Sequence, residues 1–297
     1  MTYSIVARDP DTGELGVAVQ SCWFSVGSMV PWAESEVGAV ATQAFADPSY
    51  GPLGLALMRA GRDAPAALAG LLAADEGRER RQIGMVDARG VPAAHTGSQC
   101  IVHAGHVTAT NVTVQANIMR SDQVWPAMID AYHAARGDLA ERLLAALDAG
   151  EVAGGDARGR QSAAILVVAG TRSGQPWRDR LVDLRVEDSR DPLGELRRLL
   201  NVHRGYGLME EAEQCEAAGD LDGALRAYEQ ARARLPGNDE AAFWSAVLIA
   251  RAGRPDESRA LLAEVASREP GWLDVLKGLP ATGLFAVSGE LVESLVS

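Results

Sequence analysis

Gly219 and Gly253 stand 34 residues apart, and so do Pro236 and Pro270. This fixed period constrains the last third of the chain more than any other feature does. Between each glycine and its proline, Ala224-x-x-x-Tyr228-x-x-Ala231 aligns with Ser258-x-x-x-Leu262-x-x-Val265. Residues three and four apart share one helix face, and small ones there let a second helix come close. Proline, with no N–H and a fixed φ, stops the helix. A unit of this size cannot bury its apolar face alone, so the pattern implies stacked helical pairs. From Arg204 onward the texture is unbroken amphipathic helix, rich in Ala, Glu, Arg and Leu.

The period and the order small, large, small, proline resemble the tetratricopeptide repeat. Two such repeats plus a helix around Trp272 to Leu276 would make a short all-α module over residues 204–297, for which binding of a protein partner is one reading. A helical pair that only caps the preceding domain is the structural alternative.

The first 203 residues read differently. Short apolar runs at Ile5 to Ala7, Leu15 to Gln20, Val37 to Gln43, Gln82 to Asp87, Val112 to Ala116, Ala163 to Ala169 and Leu181 to Val186 predict strands. The first two flank the turn-rich Asp9-Pro10-Asp11-Thr12-Gly13, a hairpin signal. The runs hardly alternate with polar residues, so both strand faces should be covered. Helices fit Gly51 to Ala60, Ala64 to Ala74, Gln123 to Ala135, Leu139 to Ala149 and Pro192 to His203. Strands in pairs with helices between them predict an α+β domain of sheets packed under helical layers.

Charge and composition remove several function classes. The net charge is −12, with acid in excess in both parts of the chain, which argues against nucleic acid and anionic membrane as partners. No run approaches the ~18 apolar residues of a spanning helix, and no basic-then-apolar leader opens the chain, so a cytoplasmic protein is expected. Cys22, Cys100 and Cys215 are odd in number and widely spaced, hence free thiols rather than a disulfide framework. Lys277 is the only lysine; a phosphate-binding P-loop and any lysine-dependent mechanism in the first two hundred residues are excluded.

Three segments could carry chemistry. Thr2 opens the first strand, and loss of Met1 would leave a threonine whose free α-amine can take the proton from its own hydroxyl. Such an amine titrates at about 7.7–8.0, so part of it is neutral at neutral pH. The segment Ala153-Gly154-Gly155-Asp156-Ala157-Arg158-Gly159-Arg160-Gln161-Ser162 compresses glycines, an acid, two arginines, an amide and a hydroxyl before an apolar strand. Charge at the mouth of a core strand must be paired or face a site. Cys100-x-x-His103-x-x-His106 has zinc-type ligands, although in an extended strand Cys100 and His106 would share a face while His103 points away. Trp23, Phe24, Trp32 and Phe45 fit core or a lid over a pocket.

Taken together, Thr2-Tyr3-Ser4-Ile5-Val6-Ala7-Arg8-Asp9, Leu15-Gly16-Val17-Ala18-Val19-Gln20-Ser21, Gly38-Ala39-Val40-Ala41-Thr42-Gln43, Ala94-His95-Thr96-Gly97 and Gly154-Gly155-Asp156-x-Arg158-Gly159-Arg160-Gln161-Ser162-Ala163 resemble a bacterial family, domain of unknown function 1028, assigned to the N-terminal nucleophile hydrolase-like fold. The resemblance covers about residues 2–203. One departure is that Ala116-Asn117 stands where the family has Gly-Asn. The resemblance implies a four-layer αββα sandwich and, by analogy of fold, an amidohydrolase. Thr2 would be the nucleophile, Asn117 an oxyanion donor, and Asp156, Arg158 and Ser162 would orient the amine or bind an acidic group. Ser21, Thr42, Gln43, His95 and Gln161 would contact a small-molecule or peptide substrate. No cofactor and no metal are expected, and a homodimer is compatible with exposed sheet edges. Two alternatives stay open: a catalytically silent domain whose helical module recruits a protein, and a metal-dependent hydrolase built on Cys100 and His106.

Overall fold

The computed structural model describes residues 2–282 and 287–296. Backbone contacts divide the chain into two units, Met1–Arg198 and Leu199–Ser297. The first unit opens with β1 (Thr2–Arg8) and β2 (Leu15–Ser21), an antiparallel hairpin in which Thr2 lies opposite Ser21. Its turn is held by Asp9, whose Oδ1 accepts from the backbone N–H of Asp11 and Thr12 at 2.9 and 3.3 Å, the local bonding that makes aspartate a turn residue. Next come β3 (Pro31–Glu34), β4 (Gly38–Ala44), helices α1 (Tyr50–Arg59) and α2 (Ala64–Ala74), β5 (Arg81–Asp87), β6 (Pro92–Thr96), β7 (Gly105–Ala109) and β8 (Val112–Asn117). Helices α3 (Val124–Ala134) and α4 (Leu139–Val152) precede β9 (Ser162–Val168) and β10 (Arg180–Val186). The N-termini of α2 and α4 are capped by Asp63 and Asp138, which accept from Ala66 N and Glu141 N.

These strands form two antiparallel sheets, a six-stranded one ordered β10-β9-β2-β1-β8-β7 and a four-stranded one ordered β3-β4-β5-β6. Pleating explains the layout. Val6, Val17, Val19, Ala164 and Leu166 from the larger sheet and Ala39, Ala41 and Val86 from the smaller one make a common buried cluster. Val40, Ile83 and Met85, in the opposite phase of β4 and β5, pack with Leu55, Met58 and Leu68 of α1 and α2. Helices α3 and α4 pack on β8, β1, β2 and β9. With both faces covered, β1, β2, β4, β5, β8 and β9 are buried along almost their whole length.

Three strands were not anticipated: β3, β6 and β7. β3 and β6 are the two edges of the small sheet and β7 an edge of the large one. An edge strand pairs on one side only and tolerates polar and proline residues, so its apolar signal is weak. β10, at the remaining edge, alternates between exposed and buried residues rather than being covered on both faces. Between the sheets lies a second surprise, a buried polar network. Ser4 Oγ donates to Gln43 Oε1 at 2.7 Å, and Gln115 Nε2 donates to Ser4 Oγ at 2.6 Å. Gly84 on β5 has no side chain because a Cβ there would sit 2.1 Å from Gln115 Oε1.

Helix α5 (Pro192–Ala217) continues beyond His203, where the sequence predicted its end, and the division between the units falls within it. No proline interrupts residues 193–217; the change in composition at Arg204 therefore marks new packing partners, not a break in the helix. The second unit contains α6 (Leu221–Arg234), α7 (Asp239–Arg251), α8 (Pro255–Arg268), α9 (Gly271–Thr282) and α10 (Gly289–Val296). Ala224, Tyr228 and Ala231 on α6 and Ser258, Leu262 and Val265 on α8 are all buried. Gly219 and Gly253 adopt φ of 79° and 80°, the left-handed turn that ends a helix and that glycine enters without strain. The Trp272 ring lies 4.7 Å from that of Phe243. Among the described residues no helix is long and apolar enough to cross a membrane.

Candidate functional site

The register of the large sheet brings four polar residues into one row. Asn117 lies opposite Thr2, Thr2 opposite Ser21, and Ser21 opposite Ser162, so one end each of β8, β1, β2 and β9 contributes one member. Cross-strand partners point to the same face, about 4.5–5.5 Å apart. That face is the one turned toward the small sheet, because Val6, Val19 and Leu166, in phase with the row, belong to the cluster between the sheets.

Thr2 is 4% exposed and is held on both its side chain and its backbone. Its Oγ1 shares a 3.0 Å hydrogen bond with Ser21 Oγ. Its carbonyl oxygen accepts from Asn117 Nδ2 at 3.3 Å and from Gln43 Nε2, across the sheet gap, at 3.2 Å. Both amides also donate to Gln82 Oε1, at 2.8 and 2.7 Å. Gln82 is anchored in turn through Nε2 to Ala116 O and Thr96 Oγ1 at 2.8 and 2.9 Å. A buried network whose members satisfy one another is rigid.

Thr2, Gln43 and Asn117 form part of the wall of a cavity of about 430 Å³. Trp23, Met29, Phe45, Ile101 and Ile118 give it a largely apolar lining, and Arg81 and Arg158 are its charged lining residues. Arg158 reaches it from the loop before β9. Asp156, whose side chain is fully buried, accepts from Arg158 Nη2 at 2.9 Å and Nε at 3.2 Å, and from Cys22 N at 3.1 Å. That loop is tied to the end of β8 by pairing of Met119 with Asp156. Arg81 is held by Asp75 through Nε at 2.9 Å and donates to Phe45 O. The hydrogen bond from Arg81 holds the Asp75 carboxyl down at about 2, and Asp75 in turn raises the guanidinium. Burial pushes the Cys100 thiol up, away from thiolate character.

The backbone is strained where the strands reach the cavity. Ala44 and Ile118, immediately after Gln43 and Asn117, have φ of 69° and 55°. Side chains with a Cβ, β-branched ones above all, rarely adopt this region, and such residues gather at functional sites.

Of the residues singled out from the sequence, Thr2, Ser21, Asn117 and Ser162 stand in the row, and Gln43, Asp156 and Arg158 surround it. Their parts differ from expectation in two cases. Ser162 donates to Trp23 O and accepts from Val26 N at 3.1 Å, so it braces the wall segment that follows β2. Asn117 has both amide hydrogens engaged, by Thr2 O and Gln82 Oε1, and is arranged to hold Thr2 rather than to donate to an oxyanion. Of these seven, Thr2, Gln43, Asn117 and Arg158 line the cavity while Ser21, Ser162 and Asp156 do not, and neither do the remaining three. Thr42 is in the opposite phase of β4 from Gln43, and its hydroxyl donates to Asp47 O at 3.1 Å. His95 lies opposite Ile83, on the helix-covered side of the small sheet, and its Nε2 is 2.9 Å from Arg78 O. Gln161 donates its side chain to Asp188 at 3.2 Å.

The metal reading loses its basis in the same way. Cys100 Sγ donates to Arg81 O, His103 Nδ1 pairs with Asp122 at 2.9 Å, and His106 Nδ1 meets Thr96 Oγ1 at 2.8 Å. Among the described residues no three His, Cys, Asp or Glu side chains are grouped to hold an ion. Gln82, Gln115 and Arg81 were missed. The available signal was phase: Gln43, Gln82 and Gln115 interrupt apolar strands at positions that face inward.

A sequence model of the tetratricopeptide repeat matches residues 216–279. No curated protein matches the chain. Among solved structures, the crystal structure of protein SPO2555 from Silicibacter pomeroyi, itself assigned to DUF1028, is similar with a TM-score of 0.61 and 33% identity, over 67% of this chain and 87% of that one. The model of the family of unknown function DUF1028 matches residues 2–196, and with Thr2, Asn117 and the Asp156–Arg158 loop all inside that span, the chain belongs to this family.

Proposed function

We propose that residues 1–203 are an N-terminal nucleophile hydrolase-like domain, a four-layer αββα sandwich, that cleaves a small amide through Thr2 once Met1 is removed. The observation that carries this is Thr2 itself: a threonine at the start of a core strand that forms part of a cavity wall, with its carbonyl clamped by two amides. Met1, on whose removal the activity depends, lies outside the described residues.

In the proposed reaction the freed α-amine accepts the hydroxyl proton as Thr2 Oγ1 attacks the amide carbonyl carbon. The C–N bond breaks, the departing amine takes that proton, and an ester to Thr2 remains. Water then hydrolyses the ester, releasing the acid and restoring the hydroxyl. Arg158, paired with Asp156, and Arg81, paired with Asp75 and 3.9 Å from Asp47, are the basic residues of the cavity wall.

The second reading is a catalytically silent first domain with a helical module, residues 204–297, that recruits a protein. It is favoured by the tetratricopeptide match and by the buried, periodic faces of α6 and α8. Intact-mass measurement followed by a β-lactone probe separates the two. Loss of Met1 and stoichiometric labelling at Thr2, abolished in Thr2→Ala, are expected of the hydrolase. Retained Met1 or an unlabelled Thr2 would leave the recruiting module as the function.

A further inference from the structure

Four separate chain segments supply the apolar wall of the cavity beside Thr2. Trp23 and Met29 follow β2, Phe45 follows β4, Ile101 lies between β6 and β7, and Ile118 follows β8. The two charged lining residues are already matched by acids: Arg158 is paired with Asp156, and Arg81 with Asp75, while Asp47 lies 3.9 Å from Arg81. We infer that the site takes a neutral, apolar ligand: an uncharged amide bearing an aromatic or aliphatic group that fills the cavity. That the reacting bond is an amide rests on the proposed hydrolase activity; the neutral and apolar character rests on the wall alone.

The apolar wall is held in place. Trp23, Phe45 and Ile101 are 58%, 55% and 49% exposed while lining the cavity. Unrestrained, such groups would turn away from water. Here the backbone of each is fixed: Trp23 O accepts from Ser162 Oγ, Phe45 O from Arg81 Nη1, and Ile101 O from Ile118 N at 3.4 Å. The Arg80 guanidinium also stands 5.8 Å from the Phe45 ring. Apolar surface kept exposed at a concave site marks a place where a ligand completes the burial, and fixing it beforehand lowers the ordering cost of binding.

The amides of the wall are committed to the fold as well. Asn117 has both amide hydrogens engaged, and Gln43 Nε2 donates to Thr2 O, Gln82 Oε1 and Gln115 O. A charged ligand group would lose its hydration there with little in return, whereas an apolar one gains by leaving water. The cavity's volume of about 430 Å³ lies within the ~300–1,000 Å³ range of small-molecule pockets. At ~30 Å³ for each water-sized atom, about a dozen heavy atoms fit. Hydrolysis of a neutral amide yields a carboxylate and an ammonium at neutral pH. Both match this wall less well than the substrate, so cleavage favours release.

The test is calorimetric titration of the full-length Thr2→Ala protein, which separates affinity from turnover. It is run at about pH 9, so that a terminal amine with an ordinary pKa of about 7.7–8.0 carries little charge. Three probes share one carbon chain, 4-phenylbutanamide, 4-phenylbutanoate and 4-phenylbutylammonium, and a fourth, butanamide, lacks the ring. The expected result is a Kd below ~1 mM for 4-phenylbutanamide and at least ~10-fold weaker binding of the other three. Trp23→Ala and Ile101→Ser, two changes at exposed positions whose fold circular dichroism verifies, should each weaken 4-phenylbutanamide ~3-fold or more. Either ion binding as well as the amide, butanamide binding as well as its phenyl homologue, or no binding to folded protein would overturn the inference. Unchanged affinity in both wall variants would do the same. If 4-phenylbutanamide binds selectively but Thr2 of the wild type never labels, the hydrolase proposal fails and the ligand class stands. Labelling of Thr2 without that selectivity gives the reverse.

Discussion

Asn117 Nδ2 donates to the backbone carbonyl of Thr2, the residue directly opposite it across the β1–β8 ladder. That same threonine forms part of the cavity wall, so the amide fixes the carbon framework that carries the proposed nucleophile. Gln43 makes the equivalent bond from the second sheet, and Gln82 holds both amides in place. One residue is thereby positioned by three strands from two sheets.

Replacing Asn117 by Ala should slow β-lactone labelling of Thr2 by ~10²-fold without unfolding the protein, because small displacements of a reacting group cost about that much. The rate of labelling followed by mass spectrometry, with circular dichroism to verify the fold, makes the measurement. An unchanged rate would mean that Gln43 alone positions Thr2.

Gln82→Leu is a test of the network rather than of chemistry. It leaves one Asn117 Nδ2 hydrogen and the Ala116 carbonyl short of a buried partner, while Gln43 Nε2 keeps Thr2 O and Gln115 O. At roughly 1–3 kcal/mol for each group left unsatisfied, a loss of ~3 kcal/mol in unfolding free energy is expected, partly relieved by rearrangement. Urea denaturation measures it, and a cost under ~1 kcal/mol would show that the amides find other partners.

In the helical unit the expected change is a gain. Ser258 is fully buried on α8, and its hydroxyl has no hydrogen-bond partner among the described residues, whereas the corresponding residue on α6 is Ala224. Ser258→Ala removes an unsatisfied polar group and improves helix propensity, so stability should rise by about 0.5–1 kcal/mol. A lower melting temperature for this variant would show that the hydroxyl is satisfied in solution.

Acid should weaken the first unit through Asp75. Its carboxyl is lowered from 3.8 to about 2, chiefly by the hydrogen bond from Arg81. A depressed folded-state pKa gives stability that is present above the unfolded value and lost as pH falls through the folded one. The loss attributable to this group therefore runs from about pH 4 down to about pH 2. Asp75→Asn should be less stable than wild type at neutral pH and should show a shallower decline over that window, read by denaturant titration at several pH values. An identical decline in both proteins would assign the acid sensitivity to other carboxylates.

Much of the fold was legible because the forces that wrote it are local. The 34-residue spacing of Gly219 with Gly253 and of Pro236 with Pro270 marks helix ends, and helix ends depend on residues within a turn or two. The strands covered on both faces, from β1 to β9, announced themselves as apolar runs because every residue in them must avoid water. The edge strands β3, β6 and β7 did not, since exposure on one side lets Pro31, Pro92 and His106 occupy them.

The site was legible in its members and not in their roles. Thr2, Ser21, Asn117 and Ser162 could each be named from the sequence, but their alignment in one row depends on the registers of three strand pairs, β8 with β1, β1 with β2, and β2 with β9. Register is set by long-range pairing and by which face the core demands, and a slip of one residue would turn Thr2 away from the cavity. The same phase rule turned Thr42 and His95 aside and brought Gln82, which had drawn no notice, under Asn117.

The sequence by itself thus determined where helices and core strands run and which residue types were available for chemistry, because periodicity and composition are properties of neighbours along the chain. Only the tertiary structure decided which of those residues meet. Two sheets close enough that Gly84 must lack a side chain bring glutamines from β4, β5 and β8 into one hydrogen-bonded cluster, and that approach is fixed by packing between segments far apart in sequence.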